Sequence, residues 1–120
     1  MKILSIQPGC RPEVREIDDT LETMRQMVGG LIQAIYPFEE PVALICNDEG
    51  KLLGLPMNRG LRDEKGELYD ILCGTFFLCG TSGEDFTSLT DGQIEKYQQM
   101  FAVPELFLRM GNRLVIVPLD

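Results

Sequence analysis

Polar side chains that could bind an anion gather between residues 42 and 59. Amide and cationic groups there are hydrogen-bond donors, and nearby glycines would let backbone N–H groups approach a ligand. The candidate ligand-binding residues are Asn47, Lys51, Asn58 and Arg59. A structural alternative stays open, because these side chains could instead complete a turn, cap a segment and pair with a surface carboxylate. No phosphate-loop spacing is present to favour the ligand.

Catalytic, metal and cofactor chemistry is not predicted. The chain contains no histidine, which is the commonest general base. Its four cysteines form no CxxC pair, so the usual zinc spacings are missing. Cys46, Cys73 and Cys79 lie in apolar runs, where a reduced thiol behaves as a small hydrophobic group, and only Cys10 is expected to be exposed. The sequence therefore predicts a protein that is not an enzyme and needs no metal or cofactor.

The charge of the chain points to proteins rather than nucleic acids as partners. Nineteen acidic and eleven basic residues give a net charge of −8, which repels phosphate backbones. Solubility alone could explain this charge, but the acidic side chains could also face a basic partner. The candidate interaction surface consists of Glu13, Glu16, Asp18, Asp19, Glu22, Asp63, Glu64 and Glu67.

The length and the hydrophobic pattern predict one domain that covers all 120 residues. No apolar run approaches the roughly 20 residues that a membrane helix needs. The first apolar run is interrupted by Pro8-Gly9 too early for a signal peptide. We therefore expect a cytoplasmic protein that does not contact a membrane.

The central stretch, residues 42–59, has the pattern of a β-hairpin. An apolar run at 42–46 is followed by Asn47-Asp48-Glu49-Gly50 and a second apolar run at 51–53. A charged loop is predicted at 60–70, and a continuous apolar run at 70–80 predicts a central strand covered on both faces. Other strands are expected at 2–7, 13–17 and 31–38, and a polar loop at 80–85.

Two helices and a terminal hairpin complete the prediction. Asp19-Thr20-Leu21-Glu22 and Thr90-Asp91-Gly92-Gln93 have the spacing of capping boxes, each before a helical apolar pattern. Gly111-Asn112 between two apolar runs predicts a hairpin with a two-residue turn. The predicted fold is a small α+β domain with a mainly antiparallel sheet and the order β-β-α-β-β-β-α-β-β.

An ordered set of short motifs resembles a known family. The motifs are Val28-Gly29-Gly30, Ile45-Cys46-Asn47-Asp48-Glu49-Gly50-Lys51-Leu52, Gly54-Leu55-Pro56-Met57-Asn58-Arg59, Asp70-Ile71, Gly74-Thr75-Phe76-Phe77 and Ser88-Leu89-Thr90. Together they resemble the family catalogued as domain of unknown function three-eight-four-six, most closely over residues 1–102. The resemblance implies an accessory protein of phages, plasmids or conjugative elements, and it implies no catalytic residue. It also implies that the Gly-Leu-Pro-x-Asn-Arg and Gly-Thr-Phe-Phe blocks are the constant parts of the family.

Three functional hypotheses follow. The first is an interaction protein whose acidic surface binds a host or element protein, as an anti-restriction or anti-defence protein would by imitating nucleic-acid charge. The second is a module that binds an anion or a nucleotide-like ligand through the four donor residues. The third is a structural subunit, a homodimer in which the terminal hairpin at 106–117 pairs edge to edge with its copy.

Overall fold

Ten β-strands and two α-helices form within residues 1–119, the part of the chain that the computed structural model describes. The strands are β1 (Lys2–Ile6), β2 (Glu13–Glu16), β3 (Ile32–Ile35), β4 (Val42–Asn47), β5 (Met57–Arg62), β6 (Leu68–Cys73), β7 (Phe76–Ser82), β8 (Asp85–Thr87), β9 (Glu105–Met110) and β10 (Arg113–Pro118). The helices are α1 (Leu21–Val28) and α2 (Asp91–Met100). Strand neighbours are antiparallel, so the predicted α+β class with a mainly antiparallel sheet is confirmed.

The main sheet has the strand order β2-β1-β7-β4-β3, and β8 pairs with the far end of β7. Strand β7 lies at the centre, where Leu78 is opposite Leu4 of β1 on one side and Leu44 of β4 on the other. Residues 76–80 of β7 are all buried, which confirms a central strand covered on both faces. Strand β2 forms one edge of the sheet, and all four of its residues are exposed.

Alternate residues of the central strands separate the core into two layers. Phe77 and Cys79 pack with Met24 and Val28 of α1 on one face of the sheet. Phe76 and Leu78 belong to the cluster on the other face, where helix α2 and the β5–β6 hairpin supply the covering side chains. The two-residue period of a strand places successive side chains on opposite faces, so a strand buried on both faces must be apolar throughout.

The helices begin and end close to their predicted positions. Helix α1 is capped by Thr20, whose Oγ1 accepts from the Thr23 backbone N–H at 3.1 Å, and not by Asp19. It ends at Gly29, whose left-handed φ of 77° is a conformation that glycine adopts without strain. Helix α2 has the complete capping box of Thr90 and Gln93. Neither helix is long and apolar enough to cross a membrane, within the described residues.

The predicted hairpin between residues 42 and 53 is wrong. Strand β4 already pairs with β3 on one side and β7 on the other, so no edge is left for residues 51–53. The chain makes helical-type turns there instead, with the Leu53 N–H donating to the Glu49 carbonyl oxygen at 2.9 Å. Leu52 is 87% exposed, in keeping with a turn that packs against little.

Strand β5 follows that turn and pairs with β6 in a separate two-stranded sheet. The predicted charged loop at 60–70 is therefore reduced to the turn between these strands. The predicted strand at 70–80 is two strands, β6 and β7, divided at Gly74 with its φ of 83°. Gly83 turns β7 back into β8, where a polar loop was predicted. The described residues thus contain ten strands, more than the sequence predicted.

Strands β9 and β10 form the predicted terminal hairpin, with Met110 opposite Arg113 across the Gly111-Asn112 turn. The pair is a second two-stranded sheet, separate from the main one. It is attached at its base, where Glu105 of β9 lies against the β5–β6 hairpin.

Candidate functional site

Asn58 of strand β5 is completely buried and joins three segments of the chain. Its Nδ2 donates to the carbonyl oxygens of Ile6 and Gly74, both at 2.9 Å. These carbonyls end β1 and follow β6, so the amide fastens the β5–β6 hairpin to the main sheet. A buried amide with these partners is a structural anchor, because leaving either carbonyl unpaired would be unfavourable.

Arg59 follows Asn58 and is only 1% exposed. Its Nη1 donates to Asn58 Oδ1 at 2.9 Å, and its Nη2 donates to the carbonyl oxygens of Cys10 and of Phe101, the latter at 3.1 Å. Among the described residues it forms no ion pair, and its Nε has no hydrogen-bond partner. Burial lowers the pKa of the guanidinium from its usual range, although the group stays charged.

The other two predicted ligand residues lie elsewhere, at the end of β4 and in the turn that follows. Asn47 Nδ2 donates to the Val28 carbonyl oxygen at 3.1 Å, and its Oδ1 accepts from the Glu49 N–H at 2.8 Å. Lys51 is exposed and pairs with Asp70. Both residues line a small cavity of about 180 Å³ beneath this turn, which Asn58 and Arg59 do not line.

The four predicted ligand residues are therefore placed as two separate pairs. The expectation that Asn47 completes a turn is confirmed by its bond to Glu49. The expectation that Arg59 is a surface residue beside a carboxylate is wrong, because Asn58 and Arg59 lie in a buried strand. The spacing of residues along the chain does not show this burial. Asn58 likewise caps no segment.

The eight predicted interaction residues are all exposed and form two groups along the chain. The first group lies on β2, the following loop and the first turn of α1, and consists of Glu13, Glu16, Asp18, Asp19 and Glu22. The second group is the β5–β6 turn, Asp63, Glu64 and Glu67. Asp63 Oδ1 accepts from the backbone N–H groups of Lys65 and Glu67, both at 2.9 Å, which fixes the shape of that turn. Glu16 is the one member in an ion pair within residues 1–119, with the N-terminal ammonium at 3.3 Å.

A cleft of about 960 Å³ opens beside the second acidic group. The turn between β3 and β4, the β5–β6 hairpin, helix α2 and the base of the β9–β10 hairpin border it. Its apolar lining includes Phe38, Leu61, Tyr69, Met100, Phe101 and Val103. The Phe38 ring lies 6.4 Å from the Phe101 ring at an edge-to-face angle of 76°, so the lining has a packed aromatic part.

The charged groups of the cleft fall into a neutralised set and an unpaired acidic set. Arg62 donates to Glu105 Oε2 at 2.9 Å, and Lys96 donates to Glu40 Oε2 at 2.9 Å, so both exposed cations are paired. Arg59 is buried in the wall. The remaining charged lining residues, Glu39, Asp63 and Glu64, are exposed acids without an ion-pair partner in the described chain.

Helix α2 is joined to the β3–β4 turn by a second polar cluster. The Tyr97 hydroxyl donates to Glu40 Oε2 at 2.6 Å, next to the bond from Lys96. Hydrogen bonds from Lys96 and then Tyr97 lower the pKa of the Glu40 carboxyl. Burial, followed by the bond to Glu40, raises the pKa of the Tyr97 hydroxyl.

Several residues of this cleft were not singled out by sequence reasoning. Phe38 ends a predicted strand and Glu39 directly follows it, Tyr69 lies in a predicted loop, and Met100 lies on helix α2 beside the buried positions. No motif distinguishes them, since only the packing of distant segments brings them together. A signal available in the sequence was Met100, an apolar residue on the side of α2 that was not expected to be buried. In the structure Met100 is 51% exposed.

The cysteines have the predicted burial: Cys10 is exposed, Cys46 and Cys79 are buried and Cys73 is half-buried, and all four thiols are free. Burial raises the pKa of the Cys79 thiol to about 12, so it stays protonated at neutral pH. Within residues 1–119, no three His, Cys, Asp or Glu side chains converge as a metal site would require.

The family model described as Domain of unknown function (DUF3846) matches residues 1–102. The chain therefore belongs to this family, as its motifs predicted. No curated protein and no solved structure matches the chain. The matched range contains Asn58, Arg59, both acidic groups and helix α2, and it ends before the β9–β10 hairpin.

Proposed function

We propose that this protein is an accessory interaction protein of a phage or other mobile element, which binds a basic host or element protein through its acidic surface. The observation that carries the proposal is the exposure of the eight candidate carboxylates and the small number of ion pairs that they form in the described chain. All are exposed, and seven have no ion-pair partner within residues 1–119. Family membership supports the mobile-element part of the proposal, through the distribution that the resemblance implies.

The position of the first acidic group supports a protein partner. Strand β2 forms an edge of the main sheet and carries Glu13 and Glu16. An unpaired strand edge offers backbone hydrogen bonds to another chain, and charges on it reject strands of the same sign. An acidic edge therefore favours a basic partner. Anti-restriction or anti-defence activity is the specific form of this proposal, in which the surface imitates the charge of nucleic acid.

The test is affinity capture from a bacterial lysate, with the wild-type protein and a charge-reversed variant, Glu13→Lys/Glu22→Lys. We expect a bound protein that is released when salt is raised from about 0.1 M to about 1 M, because screening shortens the reach of exposed charges. The charge-reversed variant should retain much less of the bound protein. A matched control, Glu84→Lys/Glu95→Lys, changes the net charge equally at exposed positions outside both groups. Retention that is insensitive to salt, or equal loss in both variants, would contradict the proposal.

Self-association is a second candidate, favoured by the β9–β10 hairpin. Leu106, Leu108 and Met110 are 40–62% exposed on one face, and the outer edge of β10 has no strand neighbour in the described residues. No acidic residue lies between Leu106 and Leu119, so two acidic copies could approach here without direct repulsion. We propose a dimer through β10. Native mass spectrometry should show a dimer that Val115→Lys disrupts, and a monomer at all concentrations would contradict it.

Ligand binding by Asn47, Lys51, Asn58 and Arg59 stays a prediction. Since Arg59 is buried, its substitution would confound binding with folding, and Lys51→Gln is the better test. Loss of a bound anion in a folded Lys51→Gln protein would support the hypothesis, and unchanged binding would oppose a role for that cation.

A further inference from the structure

The large cleft is the strongest unassigned feature of the molecule. Its volume of about 960 Å³ is at the upper end of what small-ligand pockets enclose. Two of its apolar side chains, Tyr69 and Met100, are 56% and 51% exposed. A site that leaves such side chains exposed is an open groove, which suits a segment of another protein better than an enclosed small molecule.

The residue types of the lining also suit a protein segment. Aromatic residues and methionine are enriched where protein interfaces are fully buried. The exposed Tyr69 and Met100 lie beside the more deeply buried Phe38 and Phe101, so an inserted side chain would meet apolar surface on several sides. Methionine adapts its shape to different partners, because its side chain is unbranched and polarizable.

The sign of the charge limits which segment could enter. The exposed charges at the cleft that have no ion-pair partner in the described chain, Glu39, Asp63 and Glu64, are all negative. The positive side chains there are either paired, as for Arg62 and Lys96, or buried, as for Arg59. An acidic segment would be repelled, whereas a segment with lysine or arginine would be attracted.

The walls of the cleft are held in place before anything binds. Arg59 connects β5 to the carbonyl oxygen of Phe101, directly after α2, and Glu105 accepts from the Gly60 N–H at 3.0 Å. Glu40 fastens the β3–β4 turn to Tyr97 of α2. A groove whose walls are already ordered loses less conformational freedom on binding.

We propose that this cleft receives a short segment of the basic partner protein, in which aromatic or aliphatic side chains enter the groove and flanking lysine or arginine side chains face Glu39, Asp63 and Glu64. The inference rests on the proposed function and specifies where it acts. It adds Glu39 at the cleft to the acidic residues that face the partner, and it makes the apolar walls as important as the charge.

The test uses a fluorescein-labelled peptide that alternates arginine with leucine and phenylalanine, and fluorescence anisotropy of its complex with the full chain. Two comparison peptides replace either the apolar residues with serine or the arginines with glutamate. We expect the first peptide to bind at least about tenfold more tightly than either, since apolar anchors and complementary charge both contribute.

Protein variants locate the binding. Tyr69→Ala/Met100→Ala removes exposed apolar side chains of the walls and should weaken binding of the arginine peptide by at least about tenfold. Leu31→Ala/Leu52→Ala removes exposed apolar side chains that do not line the cleft and should have no effect. Glu39→Lys/Glu64→Lys should weaken binding, and Glu84→Lys/Glu95→Lys, with the same change in net charge, should not.

The outcomes separate this inference from the function on which it rests. Unchanged affinity of the arginine peptide for Tyr69→Ala/Met100→Ala, or equally tight binding of the serine peptide, would contradict the proposal that the cleft binds the partner segment. Weakening by Glu13→Lys/Glu22→Lys but not by Glu39→Lys/Glu64→Lys would move binding to the β2–α1 surface, so that the proposed function survives without the cleft. Absence of peptide binding would also contradict a binding site at the cleft. Salt-sensitive capture of a protein from lysate would still support the proposed interaction with a basic partner.

Discussion

The two hairpins that lie outside the main sheet solve the same problem in different ways. A two-stranded sheet is marginally stable by itself in water and needs packing against other elements. The β5–β6 hairpin contributes Leu61 and Leu72 to the core and inserts Asn58 and Arg59 among buried carbonyls. The β9–β10 hairpin is fastened at its base by Glu105 and leaves Leu106, Leu108 and Met110 exposed.

This difference separates structural polar residues from accessible apolar ones. Asn58 and Arg59 of the first hairpin, an amide beside an arginine, looked most like a ligand site, but they stabilise the fold. The second hairpin has little polar character and exposes the surface that another chain could cover. This hairpin lies beyond the family match, and the residues of both core clusters lie within 1–102.

The largest expected effect comes from the buried arginine. Arg59→Met leaves the carbonyl oxygens of Cys10 and Phe101 and Asn58 Oδ1 without their donor, and should lower the free energy of unfolding by about 4 kcal/mol. The exposed Arg109→Met on the second hairpin should change it by less than about 0.5 kcal/mol. Urea unfolding measures both. Equal losses of stability in the two variants would show that buried Arg59 contributes no more than an exposed arginine.

The neighbouring amide should have the next largest effect. Asn58→Leu has a similar size but removes the donor to Ile6 and Gly74, and should lower stability by about 2–3 kcal/mol. Asn112→Ala, in the exposed turn of the second hairpin, should be nearly neutral. Chemical denaturation of both proteins provides the check, and a neutral Asn58→Leu would show that its bonds are not needed.

Each hairpin has a glycine with a positive φ in it or directly after it, and the two glycines differ in their surroundings. Gly74 and Gly111 have positive φ angles of 83° and 64°, so alanine is strained at both, by about 1–2 kcal/mol. A Cβ at Gly74 would also lie 2.7 Å from Leu55 Cδ1, whereas one at Gly111 meets nothing within 4 Å. Gly74→Ala should therefore lower the melting temperature more than Gly111→Ala. The reverse order would contradict the contact.

The smallest effect concerns the acid dependence of the bonds that join Glu40 of the β3–β4 turn to helix α2. Because its folded-state pKa is lowered from 4.5, ionised Glu40 stabilises the fold above about pH 4.5. That contribution disappears as the pH falls through the lowered pKa. Glu40→Gln should therefore show a smaller loss of stability between about pH 6 and about pH 3 than the wild type. Glu39→Gln, which lacks the bonds to Lys96 and Tyr97, is the control and should behave like the wild type.

The sequence predicted the parts of the fold that depend on local signals. Capping residues and helical apolar patterns marked both helices, and the continuous apolar run that contains β7 predicted a central strand. Strand β5 was missed because Met57–Arg62 carries two buried polar residues and a glycine, which hide the apolar alternation of a strand. Its burial is decided by partners 16 to 52 residues away, such as Gly74 and Ile6, and no local pattern reports them.

The candidate site was predictable only in part for the same reason. The acidic side chains could be identified as exposed from their charge and from their positions on a predicted strand, in turns and at a helix start, and their exposure is confirmed. The cleft could not be identified, because Phe38, Tyr69 and Met100 are distant in sequence and meet through the packing of three elements. Arg59 was expected to pair with a surface carboxylate, and no local pattern reports the distant carbonyl oxygens of Cys10 and Phe101 that it contacts instead.

The most direct test of a basic partner segment at the cleft is an NMR titration of isotope-labelled protein with the arginine, leucine and phenylalanine peptide. Backbone amide shifts report each residue separately, so the binding surface is read without any mutation. Saturable changes at Gly60, Glu64, Tyr69 and Met100, which the glutamate peptide does not produce, would support the account. Changes confined to the β9–β10 hairpin or to the first acidic group, with the cleft unaffected, would contradict it.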